Sequence, residues 1–390
     1  MKTIVDLGMH SYADTFISED QLDKSEPIFP LQCQLDENTG LVSLKYDTDP
    51  GERYNLYNYS YTSANSKFSR NHWDSFAKDV SERIKLKPNS KVLEIGSNDG
   101  YLTEQFKLQG HEVLGVDPSN YVADIAAMKR DIETYVDIFS YKTSKDIHTY
   151  FGSPNLIVAN NVFNHANDPV DFAKGVHNIL EHNGVFVLEV PYWYNTIVDR
   201  KFDQIYHEHA SYFTVKSICE ILRQAGLYVF DVEVVDYHGG SIRVYASNVL
   251  ETSKPCVEEL IQKEERAGLF NIETYDVFMK DIKTKRSIFL QKLHGFAKMG
   301  VPIVGVGAAA KGNTFLNFYN LDSTILDYVT DASEHKIGKY TPLSRIPIMD
   351  DKTVFEKYDV VVAIILSWNI SDILKEKLHK INSKILFLEI

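Results

Sequence analysis

Beyond residue 90 the chain alternates short apolar runs with amphipathic stretches, the pattern of parallel strands whose helices cover both faces of a sheet. Residues 91–95 read as a buried strand, 96–100 as a turn and 101–108 as a helix. The next strand, 113–116, ends at Asp117 and is followed by a helix over 121–129. A third strand, 156–159, runs into Asn160 and Asn161; then come a helix over 170–180 and a strand over 184–190 that Pro191 stops. Helical spacing returns over 215–225, and 228–234 with 241–246, joined through Gly239 and Gly240, fits an antiparallel extension of the same sheet. Residues 251–299 carry apolar positions at helical spacing (Leu260, Phe270, Phe278, Ile282, Phe289, Leu293) and predict one or two connecting helices.

The alternation then restarts. It gives a strand over 302–306, a glycine turn over 305–312, a helix, a strand over 324–329 reaching towards Asp331, a strand over 360–365, a helix over 370–380 and a strand over 384–388. This is a second nucleotide-type fold. Residues 1–80 mix aromatic and polar positions without clear period and predict an irregular extension packed on the next domain. A second reading lets Tyr59, Tyr61 and Ser63 line a ligand site.

Length supports this division, because a chain of 390 residues exceeds what one hydrophobic core of about 250–300 residues organises. A net charge of −13 excludes the dense basic face that nucleic acid needs, but two or three placed cations would still hold a small anion. Cys33, Cys219 and Cys256 are far apart and form no C-x-x-C pair, so neither a disulfide framework nor a cysteine zinc site is indicated. The first residues lack a signal-peptide core and the longest apolar run, 360–366, is too short for a bilayer. A cytoplasmic protein without a membrane partner is expected.

Two glycine turns carry binding chemistry. Glu94-Ile95-Gly96-Ser97-Asn98-Asp99-Gly100 follows a strand and opens a helix, so its backbone can approach a ligand while the helix N-terminus offers N–H donors. Its E-x-G-x-x-x-G spacing resembles motif I of class I S-adenosylmethionine methyltransferases, and Asp117 at the end of the next strand is placed to accept from ribose hydroxyls. Gly305-Val306-Gly307-Ala308-Ala309-Ala310-Lys311-Gly312-Asn313 matches the G-x-G-x-x-A dinucleotide fingerprint. Taken alone it reads as NAD binding; Lys311 could instead pair with a diphosphate, or the turn could serve packing only.

Between them lies the densest run of titratable groups, Phe202-Asp203-Gln204-Ile205-Tyr206-His207-Glu208-His209-Ala210-Ser211-Tyr212-Phe213. In an extended segment Tyr206 and Glu208 would face one side and His207 and His209 the other, unless the chain turns there. His207 alone reads as structural. His165 follows the third strand and so belongs to the carboxyl edge of the sheet, where ligands bind. No H-E-x-x-H pair exists, and no metal is expected.

These residues, together with Asn161 to His165, Glu189-Val190-Pro191-Tyr192, Gly239-Gly240-Ser241-Ile242-Arg243-Val244 and Gly338-Lys339-Tyr340-Thr341-Pro342, make the chain similar to one family along nearly its whole length. It resembles the sugar C-methyltransferases that methylate carbon 3 of nucleotide-linked 4-keto-deoxysugars in antibiotic and cell-surface polysaccharide biosynthesis. The resemblance implies an α/β protein: a class I methyltransferase doubly wound sheet (76–250), a connector and C-terminal Rossmann-like domain that contacts the nucleotide sugar (251–390), and a small irregular N-terminal module (1–75). Family members carry cysteine pairs in that module, whereas here only Cys33 stands near Asp36 and Thr39, so no structural zinc is expected and packing alone must hold it.

The resemblance also implies site residues. S-adenosylmethionine would be held by Glu94, Gly96, Asn98, Gly100, Asp117, Asn161 and Tyr61, and a nucleotide sugar, with dTDP the expected nucleotide, by Gly307, Lys311, Asn313, Tyr192 and Arg243. A 4-keto group acidifies the neighbouring C-3 proton; His209 is the expected base, with Glu208 orienting it or tuning its pKa, and Tyr206 and His165 the expected donors to the enolate oxygen. The alternatives are a nucleotide-sugar O- or N-methyltransferase, an NAD-dependent nucleotide-sugar oxidoreductase, or a silent sugar-nucleotide-binding partner. A monomer is compatible with the sequence, which does not fix the oligomeric state.

Overall fold

The computed structural model describes residues 1–49, 51, 62–64 and 66–388. Strands β1 (Lys2–His10), β2 (Phe29–Leu35) and β3 (Val42–Leu44) form an antiparallel sheet near the N-terminus. In β2 the alternation is plain, with Leu31, Cys33 and Leu35 buried and Gln32 and Gln34 facing outward. An irregular module was the expectation, and the sheet corrects it. Register shifts between Thr3 and Val5 and between Asp6 and Met9 break the period of β1, and the fourth strand comes from far away in sequence.

The middle domain runs β4 (Lys91–Ile95), β5 (Glu112–Val116), β6 (Thr134–Tyr135), β7 (Leu156–Asn160) and β8 (Val185–Pro191), with helices between them. Then come the short β9 (Ser211–Tyr212), β10 (Tyr228–Val235) and β11 (Ser241–Ser247). The sheet order is β10-β11-β8-β7-β4-β5-β6, with β11 antiparallel to both neighbours as the spacing suggests. β9 leaves this sheet and pairs with β3, so the titratable stretch completes the N-terminal sheet.

The C-terminal sheet is wholly parallel. Its strands are β12 (Ile303–Val306), β13 (Tyr328–Thr330), β14 (Ile348–Met349), β15 (Val361–Ile365) and β16 (Ile385–Leu388), in the order β14-β13-β12-β15-β16. The strand expected over 324–329 is only Tyr328–Thr330, because the Asp322 carboxylate accepts from Thr324 N at 2.9 Å and folds the preceding residues into a turn. The connector is two helices, Pro255–Arg266 and Ile272–Lys298, broken near Gly268, whose φ is 71°. The first packs Val257 on the methyltransferase-type core, while the second packs Tyr275, Phe278, Ile282, Phe289 and Leu293 elsewhere.

That second core joins the two ends of the chain. Val5, Leu31 and Cys33 of the N-terminal sheet, Phe278 of the connector and Phe315, Leu316 and Val329 of the C-terminal domain belong to one buried cluster. Burial drives the Cys33 thiol well above its ordinary value, so it is held as an apolar core group rather than a thiolate. Phe315→Ala should cost about 3–5 kcal/mol and weaken the N-terminal sheet and C-terminal domain together, read from urea denaturation.

Candidate active site

In open parallel sheets ligands bind beyond the carboxyl ends of the strands, where the strand order reverses. The structure has two such crevices. In the middle sheet the reversal lies between β4 and β7, and in the C-terminal sheet between β12 and β15. The predicted glycine turns follow β4 and β12, one at each crevice.

The first turn needs glycine at 96, where φ is 73° and an added Cβ would stand 2.8 Å from Val162 Cβ. Asp117, at the end of β5, accepts from Asn98 N at 3.0 Å and from Ser119 N at 2.9 Å, which fixes the turn. Burial raises the Asp117 carboxyl above its ordinary range, and these two N–H groups oppose the rise. Glu94 lies behind the turn, accepting from Thr103 Oγ1, and burial pushes it up to about 8. Ser63 reinforces the turn by donating from Oγ to Asp99 Oδ1 at 2.7 Å and from N to Asn98 Oδ1 at 2.9 Å. Tyr59 and Tyr61 lie outside the described residues.

The second turn repeats this device. Asp331, just beyond β13, accepts from Ala308 N at 2.8 Å and from Ser333 N at 2.8 Å. Gly307 has φ 91°, and a side chain there would collide with Ser367 beyond β15. Lys311 donates to Asn369 Oδ1 at 2.8 Å and lies 4.6 Å from the Trp368 ring. Burial lowers its ammonium to about 8, with Asp203 opposing that shift and Lys201 adding to it.

Between the crevices the chain turns, with His209 N donating to Tyr206 O at 3.0 Å. The turn replaces the alternation of an extended segment and brings Tyr206 and His209 together: Tyr206 Oη and His209 Nε2 are 2.7 Å apart. His209 Nδ1 is 3.1 Å from the Gln204 carbonyl oxygen, which can only accept. Nδ1 therefore carries a proton; in the neutral ring Nε2 then presents its lone pair and the Tyr206 hydroxyl is the donor to it. The His165 ring stands 5.1 Å from that of His209.

The neighbours of His209 point elsewhere. Glu208 accepts from Asp14 N at 3.0 Å, so the orienting acceptor at His209 Nδ1 is the Gln204 carbonyl and not, as expected, Glu208. His207 is 1% exposed, packed against Tyr12 and Phe29 with Nε2 3.4 Å from Pro30 O.

Three of the residues expected at the substrate are buried and engaged within the protein. Arg243 is 4% exposed and its guanidinium engages Glu189 through Nε and through a terminal nitrogen, each at 2.9 Å, and Glu233 at 3.3 Å. Tyr192 is fully buried and donates to Glu264 at 2.9 Å, while Val215 N and Lys216 N donate to the same carboxylate. Asn313 is 1% exposed and donates to Ala13 O at 2.6 Å, tying the N-terminal segment to the second glycine helix.

Two family models match the chain, one over each of its larger parts. Residues 68–232 match the family described as methyltransferase domain, and residues 236–385 match the C-methyltransferase C-terminal domain. The chain is 31% identical over 347 residues to the C-methyltransferase NovU of Streptomyces niveus, covering 88% of this chain and 82% of that protein. The chain belongs to the C-methyltransferase family. Among solved structures, magnesium protoporphyrin IX methyltransferase from Synechocystis with bound SAH is 15% identical, covering 45% of this chain and 82% of its own, with a TM-score of 0.37. A methyltransferase from Clostridium acetobutylicum is 14% identical, covering 49% and 94%, also with a TM-score of 0.37.

The C-methyltransferase uses S-adenosylmethionine, and the residues at its first crevice fit that cofactor. The side-chain amides of Asn160 and Asn164 and Oδ1 of Asn161 are buried at the carboxyl edge of β7 without hydrogen-bond partners among the described residues. Such groups match a ligand carrying amine, carboxylate, hydroxyl and adenine atoms. Asn161 was expected; Asn160 and Asn164 were not, although polar residues closing an apolar strand were the available signal. Among the described residues no group of three or more histidine, cysteine or acidic side chains could hold a metal, and no helix is long and apolar enough to cross a membrane.

Arg243→Leu separates a structural from a substrate-binding role. It leaves the fully buried Glu189 short of its guanidinium partner and should cost about 3–5 kcal/mol in thermal or urea unfolding, with KM for substrate unchanged in the folded fraction.

Proposed function

We propose that this C-methyltransferase moves a methyl group from S-adenosylmethionine to carbon 3 of a nucleotide-linked 4-keto-deoxysugar through an enolate. One observation carries the reading: a hydrogen-bonded Tyr206–His209 pair, its imidazole in a base-competent tautomer, lying between a cofactor crevice and a crevice holding a half-buried lysine. Methylation at carbon needs a carbanion equivalent, and a ketone next to the reacting carbon supplies one once a base removes the proton. S-adenosylmethionine would supply the electrophilic methyl at the first crevice, held at the Gly96 turn, Asp117 and the asparagines of β7 and the loop after it.

The chain's own residues account for the remaining steps. The hydrogen bond makes Tyr206 and His209 one proton-accepting unit: a proton taken at the phenol oxygen releases the hydroxyl proton to Nε2, and one taken directly at Nε2 ends on the same ring. The Gln204 carbonyl stabilises the imidazolium through Nδ1–H. His165 supplies a ring N–H for the developing enolate oxygen, where a fixed donor is worth about 2.7–4 kcal/mol. In the second crevice Lys311 and the N–H groups of the turn hold the substrate's diphosphate, with Gly307 permitting close approach. Soluble, cytoplasmic action on a deoxysugar nucleotide follows from this reading.

The direct test incubates a 4-keto nucleotide sugar with enzyme in deuterated water. Deuterium should enter at C-3, and a methyl should be gained when S-adenosylmethionine is added; methylation of a sugar lacking a ketone would sink the proposal. His209→Asn should lower turnover by about 10²–10⁴-fold.

The lowered Lys311 fixes a pH dependence. Its ammonium is charged below about 8 and neutral above, so affinity for the nucleotide should fall as pH rises through that value. Calorimetric titration of Lys311→Met with the nucleoside diphosphate should show weaker binding and no such fall.

A further inference from the structure

The base does not stand on a rigid strand. Residues 202–204 form one 3-10 turn, and 206–209 form the tight turn that follows. A catalytic imidazole on such a segment must be held by its surroundings to within a fraction of an ångström.

Three consecutive residues just before Tyr206 each receive a side-chain hydrogen bond from a distant element. Trp368 donates from its indole N–H to Asp203 Oδ2 at 2.6 Å. Thr196 donates to Gln204 Oε1 at 3.0 Å, and Gln204 Nε2 in turn donates to His238 O at 2.9 Å. Thr314 donates from Oγ1 to the Ile205 carbonyl at 3.2 Å. Gln204 is thus held from within the methyltransferase domain, and the residues on either side of it are held by the C-terminal domain.

The two C-terminal donors are the two walls of the second crevice. Thr314 lies on the helix that the glycine turn opens, and Trp368 lies just beyond β15, across the point where the strand order reverses. The Trp368 ring also stands 4.6 Å from Lys311 Nζ and 5.1 Å from Lys201 Nζ, two cations that an anion there would meet. Asp203 is 4% exposed; burial raises its carboxyl to about 6, and the Lys311 ammonium opposes that rise. The same side chain therefore accepts the indole N–H and feels the charge of the crevice cation.

We infer that Trp368 and Thr314 are positioning residues: from the two walls of the C-terminal crevice they fix residues 203–205, whose Gln204 carbonyl selects the His209 tautomer, so that occupancy of the crevice is felt at the base. The inference rests on the proposed function for its catalytic meaning, but the tautomer itself is independent of which reaction His209 performs. An anion drawn to Lys311 would stand against the Trp368 ring, whose indole N–H holds the Asp203 carboxylate. Nucleotide binding would then tighten the hold on residues 203–205.

The test uses full-length protein with ¹⁵N-labelled histidine, the His209 signals being assigned by their loss in His209→Asn. Wild type should show a single Nδ1–H tautomer for His209, sharpened by a nucleoside diphosphate. Trp368→Phe and, separately, Thr314→Val should each give a mixture of tautomers and lower kcat by about 10- to 100-fold. KM for S-adenosylmethionine should stay the same. A wild-type tautomer and kcat in both wall variants would overturn the inference. If Trp368→Phe does not fold, Thr314→Val decides alone. Failure of the base assignment is a separate result: His209→Asn would then turn over normally whatever the tautomer shift.

Discussion

An aspartate just past the carboxyl end of a second parallel strand, accepting two main-chain N–H groups, shapes both crevices. Asp117 holds Asn98 N and Ser119 N; Asp331 holds Ala308 N and Ser333 N. In each case one oxygen fixes the glycine turn of the neighbouring strand and the other fixes the residue two positions on. A glycine turn is conformationally loose by nature, and ligand recognition by backbone N–H groups requires it to be still. The repetition gives the chain two glycine turns held by one design, and their relative placement becomes the architectural problem.

That problem is solved by sharing. The short strand β9 leaves the methyltransferase-type domain to finish the N-terminal sheet, and the same sheet shares a core with the C-terminal domain. Segment 13–17 adds polar ties: Asn313 reaches Ala13 O, Asp14 N reaches Glu208, and Ile17 bridges to Tyr340. The stretch carrying Tyr206 and His209 is consequently clamped from three sides. Domains joined only by a connector would be free to move relative to one another, and a large apolar interface is what removes that freedom.

Much of the fold was legible because burial on both faces of a parallel strand leaves a continuous apolar run, and the turns between are marked by glycine and aspartate. Strands β4, β5, β7 and β8, the antiparallel β10 and β11, and both glycine turns follow from that pattern, whereas the two-residue edge strand β6 does not. The N-terminal sheet did not, because bulges in β1 break its alternation and β9 has only two residues. Tyr192 and Arg243 illustrate a further limit. Each is polar and close in sequence to a binding motif, yet Tyr192 closes a buried hydrogen bond to Glu264 and Arg243 a buried ion pair with Glu189.

The sequence by itself determined the chemistry on offer: two glycine turns, an aspartate for each, a buried-strand framework, and one run rich in phenol, imidazole and carboxyl groups. These are local properties, fixed by side-chain type and spacing within a few residues. Tertiary structure alone decided which of those groups meet. The turn from Tyr206 to His209 sets the hydroxyl against Nε2, a main-chain carbonyl five residues before His209 sets its tautomer, and Trp368, more than a hundred and fifty positions away, secures that segment. Such contacts depend on the direction of each side chain after the backbone has folded, and spacing in the chain carries no record of it.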